Sequence, residues 1–193
     1  MAPVVMIGGT SHAGKSTLAR ALGAALGWEA ISTDSLARHP GRPWVHGGWT
    51  AVPAHVVEHY GTLSDDALMA SVLMHYRTNV WPIVTRLIAE RQDGVVLEGS
   101  ALLPDLVATL GGDVRAVWLT ASPDFLARRI KAESSYDGAD AAQRHLIERF
   151  IARTQLFDRA VMRDVRRVGL QWTDVETTPP DALLSTARRL LGV

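Results

Sequence analysis

The stretch Val4-Val5-Met6-Ile7-Gly8-Gly9-Thr10-Ser11-His12-Ala13-Gly14-Lys15-Ser16-Thr17 carries three signals in a fixed order. Val4 to Ile7 is short, β-branched and bounded by glycine, which predicts a buried strand. Ser16 to Leu26 places Leu18, Ala21, Leu22, Ala25 and Leu26 on one stripe that closes at Gly27, which predicts an amphipathic helix. Between them, Gly9 to Ser16 satisfies G-x-x-x-x-G-K-[ST] at every required position. The glycines let successive N–H groups turn inward around an anion, and the new helix points its positive end at the same place. A strand, this loop and a helix together predict a nucleoside triphosphate site. Gly9, Thr10, Ser11, His12, Ala13, Gly14, Lys15, Ser16 and Thr17 would surround the phosphates. Lys15 would reach the β/γ-phosphates and Ser16 would hold Mg²⁺. His12 is expected to bind through its backbone and to have no catalytic part.

Outward from this loop the strand–helix alternation continues. Glu29 to Ser32, Val95 to Leu97, Val114 to Leu119 and Val168 to Trp172 read as further strands. Asp65 to Arg91, with a kink at Pro82, and Leu102 to Leu110, Pro123 to Lys131, Ala141 to Arg166 and Pro180 to Leu191 read as helices. That alternation predicts a three-layer α/β fold with a parallel sheet. Arg38 to Pro53 has no usable period and reads as a loop or insertion, and Glu133 to Asp140 is a polar break between helices.

The chain has 193 residues, 20 Lys plus Arg against 20 Asp plus Glu, and no cysteine. One domain over 1–193 is expected. The balanced charge argues against nucleic acid, and the lack of cysteine excludes disulfides and thiolate metal sites. No apolar run approaches the roughly 20 residues a bilayer span needs, and the N-terminal stretch has no basic segment of a signal peptide. A soluble, cytoplasmic chain with a small-molecule partner is the expectation.

Ligands in an open parallel sheet sit at the carboxyl ends of the strands. Asp34 follows the second strand and Glu98 ends the third, so both are expected to face the phosphate loop. Asp34 is the chosen base for an attacking hydroxyl, with a helix N-cap as its bland alternative. Glu98 is read as a ligand to Mg²⁺-bound water or substrate, or as a cap. Arg38, Arg42, Trp44 and Trp49 lie in the irregular region; the arginines would clamp an anionic substrate group and the tryptophans would cover a ring or anchor the loop. Arg129 before the polar break, and Arg149 and Arg153 after it, are candidate cations for the transferred phosphoryl group, unless they pair with acids on a solvated helix. His55-Val56-Val57-Glu58-His59 matches H-x-x-E-H, but an amphipathic helix explains it better than zinc.

The phosphate loop, the later Ser-Thr-Asp, the Val-Leu-Glu-Gly and the Leu-Thr-Ala-Ser-Pro-Asp-Phe-Leu-Ala-Arg-Arg stretch resemble the P-loop small-molecule kinases. These include shikimate, gluconate and 2-phosphoglycerate kinases and chloramphenicol phosphotransferase. The resemblance implies a five-stranded parallel sheet of order 2-3-1-4-5, a substrate-side insertion over about 38–62 and a lid over about 129–153. It implies an ATP- and Mg²⁺-dependent transfer to a small-molecule hydroxyl. Lys15 and Ser16 keep their roles, Asp34 takes the substrate acid's position, and Arg129 falls at the start of the lid. Glu98-Gly99-Ser100-Ala101-Leu102 replaces the Asp-Gly-x-Pro-Arg of nucleoside-monophosphate kinases, which argues against nucleotide acceptors. A nucleotide-binding regulator without an acceptor is the alternative.

Overall fold

The computed structural model describes residues 2–37, 39–45 and 51–193. Five strands form one parallel sheet in the order β2-β3-β1-β4-β5. They are β1 (Val4–Gly9), β2 (Glu29–Ser32), β3 (Val95–Glu98), β4 (Val114–Thr120) and β5 (Gln171–Asp174). The central strand β1 is buried along its whole length, as its unbroken apolar run requires. β2 is an edge strand, and its half-exposed pattern accounts for its weak sequence signal.

Helix α1 (Lys15–Leu26) starts at Gly14 and stops at Gly27, both left-handed, with φ of 90° and 69°. It packs with α8 (Pro180–Leu191) on one face of the sheet, around Val5, Ile7, Leu18 and Leu22. The other face is covered by α3 (Asp65–His75), α4 (Trp81–Glu90) and α7 (Ala141–Arg167), around Met6, Leu97, Val84 and Phe157. A third apolar cluster joins α2 (Ala54–Thr62), α6 (Pro123–Glu133) and α7 through Tyr60, Ile130 and Phe150. No described helix is long and apolar enough to cross a membrane.

Three sequence-predicted elements differ. The single helix over 65–91 is α3 and α4 joined by a π-helical turn, Tyr76–Val80. Pro82 has no N–H and its ring crowds the carbonyl one turn earlier; the wider turn before it relieves that conflict. The helix expected over 102–110 shrinks to α5 (Pro104–Val107), because Ala101 to Leu103 are buried in an irregular approach. The fifth strand begins at Gln171, three residues later than Val168. Val168 to Leu170 instead close α7, with Leu170 N–H donating to Val165 O at 3.0 Å and Gly169 at φ 71°.

Candidate active site

The carboxyl ends of β1, β2 and β3 converge on one edge, where two cavities meet. A cavity of about 390 Å³ is formed by the phosphate loop, Glu98, Arg129 and Glu133. A second, of about 290 Å³, lies between the loop, the turn after β2, α3 and α7. Ser11, Asp34, Arg42 and Ser100 line both.

The loop is built by close approaches that exclude side chains. A Cβ on Gly8 would stand 2.3 Å from the Trp118 indole nitrogen, and one on Gly9 2.2 Å from Leu119 O. Gly9 therefore shapes the loop without facing the cavity, and Ala13 is buried in the core beneath it. Thr10 Oγ1 donates to Thr154 O at 3.2 Å, fastening the loop to α7. Lys15 is 8% exposed, and its Nζ donates to Thr10 O at 2.6 Å. Burial lowers its pKa, while the charges of Asp34 and Glu98 hold it up. Ser16 Oγ donates to Glu98 Oε1 at 2.9 Å. Arg129 NH1 donates to His12 O at 3.0 Å, so the helix before the polar break reaches the loop's crest.

His12 has the left-handed φ of 65°. Its ring, 4% exposed, lies against Trp44 and Phe150, with Nε2 2.8 Å from Glu133. Burial, despite Glu133, lowers its pKa to about 4, so the ring is neutral near pH 7. Arg42 pairs with the same Glu133 carboxylate.

Asp34 sits in a short 3₁₀ turn, Thr33–Ser35. The capping alternative belongs to its neighbour: Ser32 Oγ accepts from Asp34 N–H, which leaves the Asp34 carboxylate to the boundary between the cavities. Gly99 holds this arrangement with φ 149°; a Cβ there would meet Thr33 Oγ1 at 1.7 Å. Glu98, 4% exposed, does not cap the helix after it, whose N-cap is Leu103.

Other expected site residues fall elsewhere. Arg149, expected as a cation at the site, lines neither cavity: its NH1 is 2.6 Å from Asp65 Oδ1 and NH2 donates to Leu63 O, tying α7 to the junction of α2 and α3. Trp44 also lines neither; it is 5% exposed and packs edge-on against Phe150 at 4.9 Å, so it anchors its loop. Arg153, read as a cation for the transferred phosphoryl group, lines the 290 Å³ cavity and not the phosphate one. Arg38 and Trp49 lie outside the described residues. Among the described residues no cluster of three or more His, Cys, Asp or Glu is arranged to hold a metal, and His55 to His59 lie on helix α2. Sequence reading did not select Ser100, Glu133, His39, His75 or Tyr76. Only Ser100 carried a signal, as the residue after a strand-end Glu-Gly.

The loop, the Ser16–Glu98 pair and Lys15 fit a nucleotide phosphate with Mg²⁺. The donors converge on one cavity, and a hydroxyl beside a buried carboxylate is a hard-oxygen set of the kind Mg²⁺ prefers. Neither a protein-family model nor a curated relative matches this sequence. Solved structures do. A gluconokinase from Sinorhizobium meliloti 1021 is 19% identical, with 98% of this chain and 91% of that one covered at a TM-score of 0.57. Shikimate kinase from Bacteroides thetaiotaomicron is 15% identical, with 99% of each chain covered at 0.55. Deoxyadenosine kinase from M. mycoides is 13% identical, with 98% and 100% covered at 0.58. The five-stranded parallel sheet of order 2-3-1-4-5, with helices on both sides, is the fold of these P-loop kinases.

Proposed function

We propose that the protein is an ATP- and Mg²⁺-dependent phosphotransferase acting on a hydroxyl of a small molecule. The supporting observation is that two cavities abut at Asp34, one walled by the phosphate loop and one by α3 and α7. A nucleotide-binding regulator needs only the first.

In this reading the acceptor oxygen attacks the γ-phosphorus, the bond to the β–γ bridging oxygen breaks, and Asp34 takes the hydroxyl proton as ADP leaves. Lys15 and Arg129 hold the phosphates from two sides, and Arg42 reaches the boundary where charge develops. Ser16 and Glu98 would hold Mg²⁺, which draws charge from the phosphate oxygens. His39, Gly41 and Arg42 wall the acceptor cavity, and the region over about 129–153 would close as a lid, moving Arg129 with it.

The test is a screen of hydroxyl compounds, from hydroxy acids and sugars to nucleosides and antibiotics, for ATP-dependent phosphorylation. Asp34→Asn should lower turnover by ~10²–10⁴-fold while ATP affinity is preserved. Tight ATP binding with no acceptor across the panel, or full turnover in Asp34→Asn, would overturn the proposal.

A further inference from the structure

Among the described residues three carboxylates line the phosphate cavity. Asp34 and Glu98 have parts in the proposed transfer, and Glu133 has none. Its position is unfavourable on two counts. It is the last residue of α6, where the negative end of the helix dipole repels a carboxylate. It also lines a cavity in which the loop, Lys15 and Arg129 are arranged for an anion. Two groups from other elements offset this. Arg42, in the segment after β2, donates through NH1 to Glu133 Oε1, and His12 sets Nε2 2.8 Å from Oε2. Arg129, one turn earlier on α6, donates to His12 O, so α6 grips this loop residue by its backbone and its ring.

The Arg42 pair has the geometry of an exchange. Arg42 lines both cavities, at the boundary where a γ-phosphoryl group would lie. Carboxylate and phosphoryl oxygens are both forked acceptors for a guanidinium, so they compete for the same donors. The Arg42 side chain is 44% exposed and free to turn between them. The backbone on either side of it is fixed: Tyr60 Oη donates to Gly41 O at 2.6 Å, and Trp44 is buried against Phe150 and the His12 ring. The Glu133 side chain is 27% exposed, so losing Arg42 leaves it beside His12 with access to water and not as a stranded charge.

We propose that Glu133 stands in for the γ-phosphoryl group, holding Arg42 in its absence and yielding the guanidinium when a nucleoside triphosphate binds. Arg42 then confers a preference for triphosphate over diphosphate, and Glu133 limits it. The proposal rests on the kinase reading and deepens it. After transfer the phosphoryl group still lies at the boundary, now on the acceptor, and Glu133 competes for Arg42 so that the product is not retained. His12, which the backbone cradle alone does not require, keeps Glu133 within reach of that competition.

The test needs no acceptor. The Mg²⁺ complexes of ADP and of the non-hydrolysable β,γ-imido analogue of ATP are titrated calorimetrically, and the ratio of their dissociation constants is the readout. Glu133→Gln should raise the preference for the analogue by about tenfold, the worth of one charge-assisted hydrogen bond. Arg42→Gln should lower it by a similar factor. In an Arg42→Gln background, adding Glu133→Gln should change the ratio by less than about twofold, because nothing is left to compete for. Glu133→Asp keeps the charge but withdraws it by one methylene, so it should shift the ratio in the same direction as Glu133→Gln; it decides the matter if the Gln variant fails to fold. A ratio indifferent to Glu133, lowered by Glu133→Gln, or raised equally with and without Arg42 overturns the exchange and leaves the kinase reading standing. A parent that binds neither nucleotide overturns both.

Discussion

Ser16 Oγ donates to Glu98 Oε1 at 2.9 Å, joining residues 82 apart in sequence across the tips of β1 and β3. β1 and β3 are direct neighbours, with Ile7 level with Glu98, so the register alone brings the start of α1 to the strand-end carboxylate. In the proposed reading, a hydroxyl and a buried acid on the lip of the phosphate loop would together hold a nucleotide-bound cation.

The pair should therefore govern the Mg²⁺ dependence of nucleotide binding rather than binding itself. In the parent, Mg²⁺ should tighten ADP measurably in calorimetry. In Glu98→Gln and Ser16→Ala that enhancement should shrink by about tenfold, or ~1.4 kcal/mol, while affinity for metal-free ADP stays the same or rises as the buried acid is neutralised. Equal Mg²⁺ enhancement in parent and variants would remove the pair from the metal site.

The phosphate loop and its flanking elements were legible because each rests on local chemistry: an apolar strand, glycines whose side chains would strike Trp118 or Leu119, and a stripe along α1. Asp34 and Glu98 were legible through topology, since strand ends in a parallel sheet share one edge. The arginines were not. Arg149 and Arg153 lie one turn apart on α7, and sequence spacing puts them on a common face. Yet one pairs with Asp65 outside the cavities and the other is buried over Phe150 inside one. What separates them is where α2 and α3 pack, a choice set by Tyr60 and Leu68, both buried in the third apolar cluster. The histidine cluster was equally hidden, because His39, His59 and His75 come from three segments with no common spacing.

Arg149 should consequently act on stability and not on nucleotide affinity. Its ion pair with Asp65 is partly solvated, which limits that contribution, but the hydrogen bond to Leu63 O holds a carbonyl at the junction of two helices. Arg149→Ala should cost about 1–2 kcal/mol in denaturant melts, with ATP affinity unchanged. A loss of nucleotide binding in a variant that melts normally would return Arg149 to the site.

Asp158 should make the protein less stable at neutral pH than in mild acid. Burial pushes its pKa up from 3.8 to about 6, and Asp174 adds repulsion, against the hydrogen bond from Thr120 Oγ1 at 2.9 Å and the charges of Arg166 and Arg159. An acid whose pKa is raised on folding binds more protons in the native state between those values. Stability from this group is therefore present below about pH 4 and is lost as pH rises through about 6. The deficit at pH 7 is about 1–3 kcal/mol, allowing for partial exposure. Asp158→Asn keeps an oxygen for Thr120 and removes the charge, so it should raise the melting temperature at pH 7 and have little effect at pH 4. Removing Asp158 also withdraws a charge that holds up the pKa of Lys15, so nucleotide affinity is measured beside the melts. A variant less stable than the parent at pH 7 would mean that the ionised Asp158 is held by favourable contacts, which would reverse the sign of its contribution.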